Sequence, residues 1–445
     1  MKLIYAADIH GAFEKVKTLL AETAADVYVI SGDLIDIPFY NMGMAIRYHE
    51  LQTHFHGLRG RMNKTGTGIE DFVDELLDGP GVTEEVRWKG AAYQRYTIRA
   101  RRVMQQKYKV LESIISLKQS ARVFCLPGNY DMDLKYTSLH EQDLHLHWYQ
   151  LDQLRIAGYG GADVWTAGIP ERYIVKYRAG IGVDEKHNEM YTFFKAVKPD
   201  IIVTHQPPYG VHDGVPSTGP SGSPTLRSFC DTNPVILSLS GHIHAACGFQ
   251  VIEDTVFLNP SNFGEVTDIT ADVYEGGFFY RIEIEANRVA NVALKKLVEQ
   301  KIYDIVDYYV RDGRWVERVV DPERYGAFRL RDNVDTKVMK YSHIPEIQLY
   351  NELKQFYQMF QTQETDERLD MLEHVAILIE DKIGDDIAMD VVGSVNVGLS
   401  EESSDIDFVL YLRCDSSCTE GFAQCEQYRQ AEAMIREILG NRYKA

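Results

Sequence analysis

Residues 2–11 read KLIYAADIHG and residues 26–33 read DVYVISGD. Each is a short apolar run that ends on an acidic residue, and each reads as a buried strand. Between them FEKVKTLLAET (13–23) reads as a helix. Strand, helix and strand in that order form a βαβ opening, which predicts a largely parallel or mixed sheet with helices outside it. The next strand, ARVFCLPGN (121–129), comes only after a long insertion over 38–120 that reads as mostly helical. There Met104, Tyr108, Leu111 and Ile115 recur at helical spacing. Further strands are expected at 154–158, 200–204, 235–240, 248–252, 255–259 and 277–285. DIIVTH and PVILSLSGH are the clearest, each flanked by a turn signal.

The chain has 445 residues, enough for two or three domains, with 47 Lys and Arg against 66 Asp and Glu and a net charge of −19. Hydrophobic residues make up 45%, ordinary for a globular protein, which excludes disorder, collagen and coiled coil as the main class. No apolar run approaches the roughly 20 residues a membrane span needs. The start, MKLIYAADIHG, has no apolar core or cleavage site of a signal peptide. Six scattered cysteines make no disulfide framework, so a reducing cytoplasm is expected. The acidic balance argues against bulk, non-specific nucleic-acid binding.

Residues 207–224, PPYGVHDGVPSTGPSGSP, read as a long loop or lid. A connecting segment is expected over 298–345, where charges crowd in as RDGRWVERVVDPER. Beyond it PEIQLYNELKQFYQMF and DERLDMLEHVAILIEDKIG read as helices, followed by strands at 387–393 and 406–412 and a helix at 422–439.

Asp8 and His10 follow the first strand, Asp33 the second and Asn129 the third. His205 follows IIVT, and His242 and His244 follow VILSLS. All stand at the C-terminal ends of expected strands, the edge where open α/β sheets bind ligands. Four imidazoles, one carboxamide and two carboxylates suit first-row transition metals better than Mg²⁺ or Ca²⁺ alone. One carboxylate can bridge two ions about 3.5–4 Å apart, and a bridging hydroxide can then attack phosphorus in line. D-x-H alone is weak. D-x-H, G-D, G-N, a strand-final His and G-H-x-H in this order are a strong signal.

On those motifs residues 1 to about 297 resemble the calcineurin-like metallophosphoesterase superfamily. The resemblance implies a double-sheet β-sandwich flanked by helices. It implies that Asp8, His10, Asp33 and His244 hold one metal, and Asp33, Asn129, His205 and His242 the second. Leu258-Asn259-Pro260-Ser261 resembles the family's closing N-P-G-S turn, with Ser261 where Gly is usual. The family's G-N-H-D is here Gly128-Asn129-Tyr130-Asp131. Asp33, Asn129, Tyr130 and Asp131 are therefore the expected catalytic positions. Tyr130 replaces a His that stabilises the transition state or protonates the leaving group. A phenol with a reference pKa near 10 is a poor acid at neutral pH, which lowers the expected rate.

Residues 87–109, RWKGAAYQRYTIRARRVMQQKYK, reverse the sign of an acidic chain. Arg95, Arg99 and Arg102 share a helix face there and are candidate phosphate-binding groups capping the site, with Trp88 and Tyr96 near the same turn. Near the C-terminus Gly393-Ser394 is followed by Asp405-Ile406-Asp407 at the start of a strand. A turn that can hold a phosphate and two carboxylates at i and i+2 can place Mg²⁺ on a nucleotide. This segment resembles the polymerase-β-like nucleotidyltransferase signature. The resemblance implies an α+β domain over 346–445, incomplete because the family's third carboxylate has no counterpart.

The expected protein is thus an α/β, dinuclear-metal phosphoesterase, most simply a phosphodiesterase acting on a small phosphoester or nucleotide. Its cofactors would be two divalent ions (Mn, Fe or Zn), with Mg²⁺ at the C-terminal module. The alternatives are a nucleotide- or nucleic-acid-binding regulatory protein with little turnover, or a nuclease. No membrane partner is expected, and the sequence leaves the oligomeric state open.

Overall fold

Strands β1 (Lys2–Ala7) and β2 (Val27–Ser31) are buried on both faces, as a strand between two layers must be. Leu3, Tyr5, Ala7, Val27 and Val29 point into one core, while Ile4, Ala6, Tyr28 and Ile30 are buried on the opposite face. The computed structural model describes residues 1–320 apart from 37, 40–41, 165, 181–182, 184–186, 216–218 and 268–272. Beyond 320 it describes 362, 364–365, 367–369, 371–372, 375, 387–396, 400–401, 403–412 and 425–439.

Helix α1 (Phe13–Glu22) connects β1 to β2. Helices α2 (Met42–Arg61), α3 (Ile69–Asp78) and α4 (Glu84–Ser116) make up the described insertion, as its periodicity predicts. Then come β3 (Arg122–Leu126), β4 (Trp148–Leu151), β5 (Leu154–Tyr159), α5 (Glu189–Val197) and β6 (Ile201–Thr204). The loop over 207–224 carries a small hairpin, β7 (Gly214–Val215) and β8 (Gly219–Pro220), and leads into α6 (Pro224–Thr232). Strands β9 (Leu237–Leu239), β10 (Gly248–Ile252) and β11 (Thr255–Asn259) follow. After the short pair β12 (Val266–Thr267) and β13 (Val273–Tyr274) comes a meander of β14 (Phe278–Glu285), β15 (Arg288–Val298), β16 (Lys301–Arg311) and β17 (Arg314–Val319).

These strands form two sheets, seven-stranded in the order β17-β16-β15-β14-β1-β2-β3 and six-stranded in the order β10-β11-β9-β6-β5-β4. β1, β2 and β3 are parallel to one another, as are β5, β6, β9 and β11. Leu3, Tyr5 and Val29 of the first sheet share one core with Ile156, Val203, Leu239 and Leu258 of the second, so the sheets face each other as a sandwich. On the outer face of the six-stranded sheet, Phe194 of α5 and Leu226 and Phe229 of α6 pack with Ala157, Ile202 and Phe257. The result is a mixed α/β fold.

The expected connecting segment over 298–345 needs correction. Its first part is strands β16 and β17, joined at Asp312 and Gly313 with φ of 52° and 73°. Positive φ at both central residues is the hairpin turn that Asp-Gly favours. Charged side chains fit here because the two strands show an exposed edge while Ile305, Val306 and Tyr308 face the core. Residues 321–345 and the helix expected from 346 lie outside the described residues.

The chain divides into two compact units, one of Met1–Asp36, Lys118–Thr166 and Ile174–Ile344, the other of Ile37–Leu117, Ala167–Tyr173 and Pro345–Ala445. The insertion thus groups with the C-terminal residues, not with the sandwich domain to which the sequence assigned it. The reason is a shared core: Val103 of α4 packs with Leu369, Leu372, Val391, Val395 and Ile406. In the same unit Gln52, a fully buried side chain, accepts from the Gly168 amide at 2.7 Å and donates to the Ile169 carbonyl at 2.7 Å. Near the C-terminus β18 (Ile387–Val392) pairs antiparallel with β19 (Asp407–Leu412), and a helix runs over Glu426–Leu439. Among the described cysteines Cys125, Cys230, Cys247 and Cys425 are free. Among the described residues no helix is long and apolar enough to cross a membrane.

Candidate metal centre

The parallel strands deliver the polar residues. Asp8 follows β1, Asp33 follows β2 and Asn129 follows β3 in one sheet; His205 follows β6, and His242 and His244 follow β9 in the other. The loops at these ends are laced by backbone hydrogen bonds, from His10 N to the Asp33 carbonyl at 2.7 Å and from Gly241 N to the His205 carbonyl at 3.0 Å.

The backbone is unusual where the side chains converge. Asp8, His10, Asp33 and His242 have φ of 54°, 42°, 39° and 68°, left-handed values that cost L-residues about 1–2 kcal/mol each. Such conformations persist where the surroundings over-determine them, and they cluster at functional sites. Glycine is required beside them by close approach. A Cβ on Gly32, itself at φ +72°, would lie 2.0 Å from His205 Nδ1, and one on Gly241 would lie 2.2 Å from Asp8 Oδ2.

Two groups emerge, Asp8 with His10 and His244, and Asp33 with His205 and His242, the ligand atoms within each lying within 4.8 Å of one another. In the first, His10 Nε2 and His244 Nε2 lie 3.4 Å apart, and His244 Nε2 lies 3.3 Å from Asp8 Oδ1. The Asp8 carboxylate also accepts from the His242 amide at 2.9 Å. In the second, His205 Nε2 lies 2.9 Å from Asn129 Oδ1 and 3.6 Å from Asp33 Oδ1. Asn129 is thereby drawn to that group.

Burial sets the charges. It pushes His10 down to about 4 and His242 to about 3, and lowers His205 as well, so the imidazoles are neutral at neutral pH with a lone pair free to bind a cation. Burial, then the Asp8 charge, raises Asp33 to about 7. Burial opposes ionisation of Asp8 too, but the hydrogen bond and charge of His244, with His205 and His10, hold its carboxyl well below the usual range. Converging imidazole nitrogens and buried carboxylates, with two Nε2 atoms facing each other, form a donor set that suits a divalent transition metal. The residues fit such ions.

The other expected catalytic positions behave differently. Asp131 is fully buried, and its carboxylate accepts from the Gly128 amide at 2.7 Å and from the Leu34 amide at 2.9 Å. It ties the loop after β2 to the loop after β3. The Tyr130 amide donates to Asp33 Oδ1 at 2.8 Å. Burial, with the charges of Asp36 and Asp33, pushes the Tyr130 phenol well above its usual pKa, so it keeps its proton. The turn with Ser261 in place of Gly has φ of 69° there, and the Ser261 hydroxyl donates to the His244 carbonyl at 2.7 Å.

Arg95, Arg99 and Arg102 lie on α4 in the other compact unit, Arg95 and Arg102 exposed and Arg99 half-buried. In that unit Gly393 sits beside Asp407: Val392 pairs with Asp407 across β18 and β19, and a Cβ on Gly393 would lie 2.4 Å from Asp407 Oδ2. Ser394 Oγ is 3.5 Å from Ser400 Oγ. Asp405 and Asp407 are both exposed. The residues of this motif come together, and among the described residues they do not form a group of three or more metal-binding side chains.

Sequence reasoning missed Thr166, which accepts from Asn129 Nδ2 at 2.8 Å. It lies in a loop without periodicity, and no motif marks it.

Residues 90–246 match the family model of the calcineurin-like phosphoesterase domain. The matched stretch includes Asn129, His205, His242 and His244; Asp8, His10 and Asp33 precede it. Among solved structures the chain is similar to a dimetal phosphatase from Danio rerio, at 12% identity over 68% of this chain and 98% of that one, with a TM-score of 0.34. It is also similar to a Thermus thermophilus protein, TT1561, at 13% identity over 68% and 97%, with a TM-score of 0.31. Plasmodium GAP50, an anchor in the inner membrane complex, is similar at 11% identity over 70% and 88%, with a TM-score of 0.36. No curated protein matches the chain significantly. The family match and the two ligand groups support an enzyme of the hydrolase class, a metal-dependent phosphoesterase.

Proposed function

We propose that this protein is a two-metal phosphodiesterase. The observation that carries the reading is the pair of ligand groups at facing strand ends, Asp8–His10–His244 and Asp33–His205–His242. In this reading Asp8, His10 and His244 hold one divalent ion, Asn129, His205 and His242 hold the other, and Asp33 is shared. When bound, two such ions supply Lewis acidity at phosphoryl oxygens and a strongly acidified water at neutral pH. The chain's own residues do the rest. Asp131 fixes the loops that present Asp33 and Asn129, and Tyr130, a protonated phenol, offers a hydrogen bond and no base. Arg95, Arg99 and Arg102 are proposed to bind the anionic substrate, on the strength of a basic helix face in an acidic chain.

The test is hydrolysis of a chromogenic phosphodiester and of single-stranded DNA and RNA, with Mn²⁺, Fe²⁺ or Zn²⁺ added singly. Turnover of the small diester that requires a divalent ion supports the reading. Faster turnover of the polymers makes the protein a nuclease. Binding of nucleotides without turnover of any substrate refutes the enzyme and leaves a regulatory binding protein.

A second reading concerns residues 346–445. Gly393 packed on Asp407 favours a nucleotidyltransferase-like site that binds Mg²⁺–nucleotide weakly. Among the described residues no third carboxylate joins Asp405 and Asp407 to activate an acceptor hydroxyl, and in this reading the segment transfers nothing. Labelled ATP, CTP and GTP with an acceptor mix test this; transfer lost in D405A/D407A would overturn it.

A further inference from the structure

An asparagine can bind a cation through Oδ1 only. Its Nδ2 carries two donor hydrogens and no available lone pair, and the two ends of the amide have nearly the same shape. A metal site that uses Asn129 therefore needs something to set the plane of its amide. His205 Nε2, 2.9 Å from Asn129 Oδ1, cannot be that group once a cation is present. Both atoms then direct their lone pairs at the ion and no longer bond to each other. The contact that remains is on the other side of the amide, where Thr166 Oγ1 accepts from Asn129 Nδ2 at 2.8 Å.

Thr166 lies in the irregular stretch between β5 and α5, whose first residues are fastened to both ligand-bearing loops of the second group. The loop leaves β5 at Tyr159. Gly161 N donates to the Pro127 carbonyl at 3.0 Å, two residues before Asn129. A Cβ on Gly160 would lie 2.4 Å from that same carbonyl oxygen, so the approach admits no side chain. Asp163 N donates to Gln206 Oε1 at 3.2 Å, and Gln206 is the residue after His205. Gln206 is itself buried and donates through Nε2 to the Ser221 carbonyl at 2.8 Å. One short loop thus holds the Asn129 turn by its backbone, the His205 turn through Gln206, and the Asn129 amide through Thr166. The first group, Asp8 with His10 and His244, takes its support from other residues: the His242 amide on Asp8 and the Ser261 hydroxyl on the His244 carbonyl.

We propose that Thr166 is the positioning residue of the second metal subsite, fixing the Asn129 amide so that Oδ1 faces the ion, with the backbone of Gly160, Gly161 and Asp163 as its support. The inference rests on the two-metal reading. Partners that orient metal ligands typically contribute 10–100-fold to metal affinity, which sets the size of the effect. Because Thr166 belongs to the support of one group alone, the effect is selective for one of the two ions.

The experiment is a Mn²⁺ titration of the full chain, following free Mn²⁺ by electron paramagnetic resonance and bound metal by elemental analysis after gel filtration. Wild type should take up two ions. Thr166→Val should keep the first ion at wild-type affinity and bind the second about 10–100-fold more weakly, with loss of the spin-coupled two-manganese spectrum. Thr166→Ser, which retains the hydroxyl, should restore both. Thr166→Ala removes the same oxygen with less bulk and carries the same expectation if the valine variant fails to fold. The inference is overturned if neither variant lacking the oxygen weakens the second ion, if both ions weaken equally, or if serine is as poor as valine. Wild type that takes up no ion would instead overturn the two-metal reading itself, and this inference with it.

Discussion

Gly241 and Gly393 play the same local part in different surroundings. A Cβ on Gly241 would lie 2.2 Å from an Asp8 carboxylate oxygen, and one on Gly393 would lie 2.4 Å from an Asp407 carboxylate oxygen. In both places a glycine after a strand lets an acid approach the backbone. Asp8 is fully buried among His10, His205 and His244, whereas Asp407 is exposed on the edge of a two-stranded sheet. Charges attract about four times more strongly at the effective dielectric of a protein surface region than in bulk water, and more again in the interior. A glycine–acid pair therefore sets position only. Affinity comes from burial and from how many other ligands arrive, and these differ between the two regions.

The largest break in this comparison is Asp33→Ala. It removes the buried carboxylate proposed to serve both ions, so both should be lost and diester hydrolysis should fall by on the order of 10³-fold or more, roughly 4 kcal/mol of transition-state stabilisation. Elemental analysis and steady-state rates check it; retention of two ions with near wild-type turnover would contradict the shared role. Next is Gly241→Ala, where the added methyl must displace Asp8. The ion at Asp8, His10 and His244 should weaken by about 100-fold, read by metal titration, while the equivalent Gly393→Ala leaves that ion untouched.

Tyr130→His places a group with an accessible pKa where a phenol is held protonated. If leaving-group protonation limits the rate, turnover should rise by up to about 10²-fold, with a new limb in the pH–rate profile near the His pKa. A flat or lower rate would assign the limit to another step. Charge reversal of Arg95, Arg99 and Arg102 together should raise KM several-fold for anionic polymers and flatten its salt dependence, with little effect on a small chromogenic ester. Equal effects on both substrates would remove these residues from substrate binding. The smallest effect belongs to the exposed pair. D405A/D407A should abolish the weak Mg²⁺–nucleotide binding proposed for this pair, with calorimetry as the readout, and change diester hydrolysis by less than about twofold, since surface carboxylates hold cations loosely.

The residues of the candidate site were legible because each follows an apolar run, and strand ends are where a parallel sheet gathers distant chain. Asp8, Asp33, Asn129, His205, His242 and His244 could all be found that way. What the residues around them do was less legible. Asp131 looked catalytic in the motif, yet its oxygens are occupied by the amides of Gly128 and Leu34. Thr166 and Asn129 are 37 positions apart, with two strands between them, and Thr166 itself stands in irregular chain with no periodic signal. In the fold, the strands over Lys301–Arg311 and Arg314–Val319 were obscured by charges on their exposed sides. The Asp312-Gly313 turn was the clue to their pairing. The grouping of α4 with the C-terminal residues depends on Val103 meeting Leu369 and Val391, a long-range contact that local patterns do not encode.

Asp8 and His244 are separated by 236 positions, and Asn129 and His205 by 76. A centre assembled from such distant pieces has a consequence for how the chain folds. Closing long loops costs entropy before any contact rewards it, so contacts of this kind form late and slow the folding of β-rich domains. Cations that need both sheets in place meet their ligands only after the rate-limiting docking. They should leave the refolding rate nearly unchanged and act on the reverse reaction, because interactions absent from the transition state slow unfolding. A chelator added to the loaded protein should then raise the unfolding limb of its kinetics, with little change in slope, and leave the refolding limb where it was.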